Sequence, residues 1–184
     1  MEDFNSERNI SPVDFKKEGA KIGIINGAIV LLLMYAGYFM GIDTFVTIQF
    51  TDTFLPYMII ILIIYGFQLR KRNGGYLSLK DGLQYSFLSY VIAGLLVAVG
   101  TYILYNLIDK NLTQKSFDVS IEKMKAFSKN MGVPEDKIDE QLGTKQPQKT
   151  TLGNILVGMG ARWILDFVKC LIISLIIRRE KPVL

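Results

Sequence analysis

The feature that most constrains this chain is a set of four long apolar runs, Ile22–Ile42, Phe54–Leu69, Leu83–Ile108 and Leu152–Ile177. A bilayer core about 30 Å thick takes roughly 20 residues of helix to cross, and these runs approach or exceed that length. They predict an all-α membrane protein with four transmembrane helices at about 22–42, 54–70, 83–108 and 152–178. The remainder divides into a cytoplasmic tail 1–21, an external helical segment 109–151 and a second cytoplasmic tail 179–184.

The net charge of +4 matters by position, because short loops flanking membrane helices obey a positive-inside rule rather than a net-charge rule. Arg8, Lys16, Lys17 and Lys21 precede the first run; Arg70, Lys71, Arg72 and Lys80 lie between the second and third; Arg178, Arg179 and Lys181 follow the fourth. All three groups are expected on the cytoplasmic side. The first connection, Asp43–Thr53, has no Lys or Arg and belongs outside. In the third, the lysines from Lys110 to Lys149 are offset by Asp109, Asp118, Glu122, Glu135, Asp136, Asp139 and Glu140, and longer segments translocate with less regard to charge. Both termini are therefore expected in the cytoplasm and 109–151 on the outer side of the membrane. The tail before the first run mixes acids and bases, so that run reads as an uncleaved anchor rather than a signal peptide. The basic flanks read as topology determinants, or as anionic-lipid contacts worth about 1 kcal/mol each. The lipid bilayer is the expected partner, and a nucleic acid is not.

The residue inventory excludes much chemistry. With no His, the commonest general base, metal ligand and haem ligand is missing. Cys170 is the one cysteine, so neither an internal disulfide nor a paired-thiol site can form, and its place in an apolar run suits a small packing residue. Asn73-Gly74-Gly75 is a turn, without the strand, lysine or hydroxyl of a phosphate loop. A chain of 184 residues with four spans leaves no room for a separate enzymatic domain. No catalytic residue, metal site or cofactor is expected.

Gly23, Gly27, Gly37 and Gly41 fall within an arc of roughly 80° on a helical first span. Two Gly-x-x-x-Gly pairs predict a helix-packing face, since close backbone approach is what drives association in lipid. Asn26 stands near that face and needs a hydrogen bond. The second span offers Pro56 in its first turn and Tyr57 and Tyr65 as interfacial anchors. Ser86, Ser89, Tyr90, Ala93, Val97, Gly100 and Thr101 line a third of the third span, as a packing face or a hydrophilic conduit. In the fourth, Arg162, Asp166 and Lys169 stand at i, i+4 and i+7 on the stripe of Gly158 and form an intramembrane ionic face. Asp166 can pair within its own helix, meet a partner, or mark an ion path; two adjacent cations hold it ionised and make it a poor proton relay.

In the external segment Phe117, Ile121, Met124, Phe127 and Met131 recur near helical period, predicting an amphipathic helix that ends at Gly132. Pro134 then opens a shorter helix to about Leu142, with Ile138 and Leu142 as its apolar edge. The longer stripe suits the membrane surface, this chain's own bundle or a partner. Residues 143–150, with Pro147, read as a flexible return to the membrane.

The chain resembles the domain of unknown function 4199 family, small four-span inner-membrane proteins of Gram-negative bacteria. The resemblance lies in Lys21-Ile22-Gly23-Ile24-Ile25-Asn26-Gly27, the basic turn Arg70–Gly82, Asn130-Met131-Gly132-Val133-Pro134-Glu135-Asp136 and the close Leu171–Arg179. It covers nearly the whole chain and implies an architecture and a location, with no activity to carry over; the stripe around Asp166 is not part of that pattern. The functional expectation is a non-enzymatic accessory or scaffold subunit beside another inner-membrane protein or complex, with homo-oligomers possible. The alternative is a small oligomeric transporter or channel using the Arg162/Asp166/Lys169 face. A membrane enzyme is a remote third.

Overall fold

The computed structural model describes residues 13–54, 57–142 and 146–181. Among them lie seven α-helices: α1 Phe15–Met40, α2 Ile42–Phe54, α3 Tyr57–Arg72, α4 Leu79–Ile103, α5 Leu112–Asn130, α6 Glu135–Leu142 and α7 Leu152–Ile177. A π-helical turn, Leu104–Ile108, continues α4. Among the described residues the one strand-like contact is an isolated antiparallel bridge between Leu77 and Arg179.

The helix ends follow local chemistry. Asp14 Oδ1 accepts the backbone N–H groups of Lys16 and Lys17 at 3.1 Å, which caps α1 seven residues before its apolar run begins. Ser78 and Asp81 cap α4 reciprocally: Ser78 Oγ accepts the Asp81 N–H at 3.1 Å and donates to Asp81 Oδ2 at 2.6 Å. Between α1 and α2 stands Gly41 at φ +116°, a conformation open to glycine and strained for other residues. At the end of α5 Gly132, at φ +78°, lets the Val133 N–H return to the Ser128 carbonyl.

The chain divides into two units. The first comprises the described residues of 1–26, 56–93 and 162–184; its core unites Phe15 and Ile22 of α1, Leu62 and Leu69 of α3, Tyr85 and Tyr90 of α4, and Cys170, Ile173 and Ile177 of α7. The second comprises the described residues of 27–55 and 94–161, with Met34, Phe45, Val46, Leu104 and Leu112 at its centre.

Two helices, Phe15–Met40 and Leu79–Ile108, are long and apolar enough to cross a membrane. That is fewer than the four spans expected. Described α3 has 16 residues and ends in Arg70, Lys71 and Arg72, whereas α7 has 26 residues but carries Arg162, Asp166 and Lys169. The connection expected at Asp43–Thr53 is the helix α2, which buries Phe45 and Val46 and returns the hydroxyls of Thr47 and Thr51 to carbonyls one turn back. The expected amphipathic helix is α5, Leu112–Asn130, which begins five residues before the first residue of the apolar stripe, Phe117.

Candidate functional site

The side chains with most chemical potential lie in the first unit, where α4 and α7 run antiparallel through contacts four residues apart. At Gly82 a methyl group would meet Ser174 Cβ at 3.2 Å and Cα at 3.4 Å, so only a glycine admits this approach without adjustment. One turn along, the Ser86 hydroxyl faces the Cys170 thiol. The next level carries Tyr90, whose ring centre is 5.7 Å from the Lys169 ammonium, beside Asp166. Small side chains at the first two levels bring the helices close, and their hydroxyls satisfy backbone carbonyls: Ser86 donates to Gly82 O at 2.8 Å and Ser174 to Cys170 O at 2.6 Å.

Asp166 is therefore drawn inward by its neighbours rather than by its charge. It is 3% exposed, and Lys169 Nζ donates to its Oδ1 at 2.9 Å. The Lys169 side chain is 38% exposed, so its ammonium closes the pair while its stem reaches toward the surface. Arg162 lies on the exposed side of the same stripe. Within the expected ionic face, Asp166 and Lys169 form an i,i+3 pair on one helix.

The glycines expected to form one packing face have separate roles. A methyl at Gly23 would lie 2.7 Å from the Ser89 carbonyl oxygen, so α1 and α4 meet there backbone to backbone. Gly37 packs in the second unit against Ile48 and Phe45 of α2, Gly27 is buried, and Gly41 stands outside the helix at the α1–α2 break. Gly19 makes the closest approach on α1, a methyl there lying 2.6 Å from the Tyr85 carbonyl oxygen. Its signal was present, since Gly19 and Gly23 are themselves a Gly-x-x-x-Gly pair. The hydroxyl stripe of α4 is packing surface: Ser89 Oγ donates to Gly19 O at 2.9 Å, and in the second unit Tyr35 OH donates to Gly100 O at 3.0 Å. Asn26 is 1% exposed and its Nδ2 has no hydrogen-bond partner.

One end of the first unit carries a network that the sequence did not announce. Glu18 accepts Arg72 Nη2 at 2.8 Å and Tyr65 OH at 2.6 Å, tying the start of α1 to α3. Arg70 Nη1 donates to the Ile177 carbonyl at 3.2 Å, and Leu77 and Arg179 exchange both backbone hydrogen bonds at 2.8 and 2.9 Å. The end of α7 is thus held against the α3–α4 turn.

In the second unit α5 meets α2 through Leu112 and Val119 and through a 2.8 Å ion pair between Lys123 and Asp43. Its neighbour α6 buries Ile138 and Leu142 and contributes Asp139 to an ion pair with Lys125. The residues of the expected stripe are placed differently: Phe117 lines a cavity of about 330 Å³ with Ser116 and Tyr105, Ile121 and Met124 are half-buried, and Phe127 and Met131 are 58% and 68% exposed.

Fold and sites define an all-helical protein with two helices of membrane-spanning length. The chain belongs to the family described as protein of unknown function (DUF4199), whose model matches residues 21–179. No curated protein and no solved structure is significantly similar to it.

Proposed function

We propose that this chain is a four-span, non-enzymatic protein of a Gram-negative inner membrane that serves as an accessory or scaffold subunit of a larger membrane complex. Burial supports the membrane. The apolar windows of Phe15–Met40 and Leu79–Ile108 are only 33% buried, whereas a core helix of a water-soluble protein is mostly covered. The network at one end supports four crossings, because Glu18–Arg72 and Leu77–Arg179 set α3 antiparallel to α1 and α7 antiparallel to α4. If α1 and α4 cross the bilayer, their neighbours share its layer. The same end gathers Lys16, Lys17, Lys21, Arg70–Arg72, Lys80, Arg178 and Arg179, which favours the cytoplasm for it.

The observation that carries the accessory role is the N-terminal part of α7, Leu152–Ala161. Of its ten residues only Ile155 and Met159 are even half-covered, and a methyl at Gly158 or Gly160 would meet nothing within 4 Å. Glycine inside a helix costs roughly 0.5–1 kcal/mol relative to alanine, which lipid contact alone does not return. Close approach of a partner helix does. Asp166–Lys169 favours the second reading, a small transporter, but a carboxylate already paired on its own helix is a weak start for a conduit.

Purification of the tagged protein at native expression level in mild detergent, with quantitative mass spectrometry, tests the proposal. A stoichiometric integral-membrane partner is the expected result. A clean monomer or homo-oligomer overturns the heteromeric role, and flux assays on Asp166→Asn then examine transport.

A further inference from the structure

The cavity of about 330 Å³ lies wholly within the second unit, where α2, the end of α4, one face of α5 and the return segment 146–150 converge. Of the ten described residues that line it, eight carry a hydroxyl or a carboxamide and none is charged. Charges of α5 are engaged elsewhere, Lys115 with Asp109, Lys123 with Asp43 and Lys125 with Asp139. The walls are tied together before anything enters. Asn106 Nδ2 donates to the Tyr102 carbonyl at 3.1 Å and to the Thr150 carbonyl at 2.8 Å, and the Thr113 and Thr150 hydroxyls share a 3.0 Å hydrogen bond. The return segment is thereby fastened to the π-helical turn and to α5. Tyr105 comes from that same turn, closed by the Asp109 N–H on the Leu104 carbonyl at 3.0 Å, and turns of this kind recur at functional sites.

The lining also specifies which hydrogen bonds an occupant must make. Ser116 Oγ donates to the Leu112 carbonyl at 2.7 Å and Ser120 Oγ to the Ser116 carbonyl at 2.6 Å, while Tyr105 OH donates to Ser116 Oγ at 3.4 Å. Their protons are spent within the chain, so what they offer the cavity is lone pairs. The Thr101 hydroxyl reaches the Met34 sulfur at 3.7 Å, a weak acceptor. A fitting occupant therefore brings several donors and no net charge, since a phosphate finds no cation on these walls and an ammonium or a metal ion no carboxylate. Half-buried Phe117 adds one apolar ring face. A sugar ring has both features, hydroxyls round its rim and C–H groups on its faces, and about 330 Å³ stands at the lower end of small-molecule sites. We propose that this cavity binds a neutral polyol the size of a single sugar ring, either a free sugar or the glycosyl headgroup of a lipid. The proposal depends on the second unit alone and stands apart from the accessory role.

The test is saturation-transfer difference NMR on the full-length chain in phosphatidylcholine nanodiscs, which avoids glycosidic detergents. The probes are the methyl pyranosides of glucose, galactose and mannose, with their permethylated forms as donor-free controls. At least one pyranoside is expected to bind saturably in the millimolar range and its permethylated form not to bind. Ser120→Ala and Gln148→Ala are each expected to weaken binding several-fold; Ser120 donates to its own helix and Gln148 is exposed, so both variants keep the fold. Discs doped with a diacylglycerol that bears the same sugar assign the source: loss of the pyranoside signal identifies a headgroup site and an undiminished signal a free sugar, both within the proposal. No saturable signal from any probe leaves the cavity to water and overturns it. Equal binding of a permethylated probe, or binding unchanged in both variants, overturns it as well, because the sugar then sits elsewhere or is held without its hydroxyls.

Discussion

Alanine at Gly23 measures how closely α1 and α4 approach. The new methyl would lie 2.7 Å from the Ser89 carbonyl oxygen, 3.0 Å from Ile92 Cβ and 3.1 Å from Ser89 Cα. Two of those atoms are backbone, so no rotamer change relieves the contact and the helices must part by several tenths of an ångström. Overpacking of this kind costs about 1–3 kcal/mol. Alanine also returns roughly 0.5–1 kcal/mol through helix propensity, which hides part of the loss. Gly158→Ala removes that ambiguity, because a methyl there meets nothing within 4 Å and the variant gains the same propensity. The difference between the two variants isolates the packing term, about 1–3 kcal/mol with Gly23→Ala the less stable. At Gly100 the obstructing atom is the end of the Leu31 side chain, which can turn away, so Gly100→Ala falls between them. Unfolding in mixed dodecyl maltoside and SDS micelles, followed by far-ultraviolet circular dichroism, ranks all three. A Gly23→Ala midpoint at or above that of Gly158→Ala would refute the close contact.

Three other perturbations have worked outcomes. Asp166→Asn leaves Lys169 facing the bundle without its counter-charge and lowers stability by about 2 kcal/mol in the same assay, and adding Lys169→Met recovers most of the loss; an unchanged single variant would show that the pair contributes nothing. Asp109 accepts Lys115 Nζ at 2.9 Å and the Asn111 N–H at 3.0 Å, and the lysine hydrogen bond foremost holds its carboxyl below the ordinary value of 3.8. A depressed carboxylate stabilises the fold fully above its unfolded value and loses that contribution as pH falls through the folded one. Protection of the amides in the first turn of α5, taken relative to their intrinsic exchange rate at each pH, is therefore expected to stay constant from neutral pH to about 3.8 and to fall below it, while Asp109→Asn lowers it at neutral pH; equal protection in variant and wild type at neutral pH would contradict the assignment. Gly41→Ala meets no atom within 4 Å but must adopt φ +116°, at a cost of roughly 1–3 kcal/mol that thermal unfolding of the purified variant reads; a neutral effect would mean the α1–α2 break relaxes freely.

Hydropathy located most helices because apolar length is a property of one segment at a time. It missed α2 for want of a second criterion: the absence of Lys and Arg in 43–53 was read as topology, although Ile42, Phe45, Val46 and Phe50 lie at i, i+3, i+4 and i+8 of a helical face. The reading of α5 found the period but not the partner. Its apolar stripe is the more conspicuous pattern, yet the face that packs on α2 mixes Leu112, Val119 and Lys123, and no hydrophobic count singles it out. Gly19 escaped because the first span was started at Ile22, where the apolar run begins, whereas the helix starts at Phe15 behind an Asp14 cap that only the backbone hydrogen bonds reveal.

The ionic face shows why a site is harder to read than a span. Spacing put Arg162, Asp166 and Lys169 on one stripe, but a stripe can turn toward lipid, a partner or the bundle, and its own charges do not choose. The choice is made by uncharged residues further along α7. Cys170, Ile173, Ser174 and Ile177 are all fully buried, and their face carries Asp166 inward while Arg162 stays exposed. Gly82 and Ser86 on α4 let that face approach closely, so the rotation of α7 is fixed by complementarity between two helices more than 80 residues apart in sequence. Replacing Ser174 by Leu perturbs that rotation without touching a charge. If the account is correct, Ser174→Leu weakens the Asp166–Lys169 pair as surely as Asp166→Asn does, and the stabilities of the two variants combined fall short of additive.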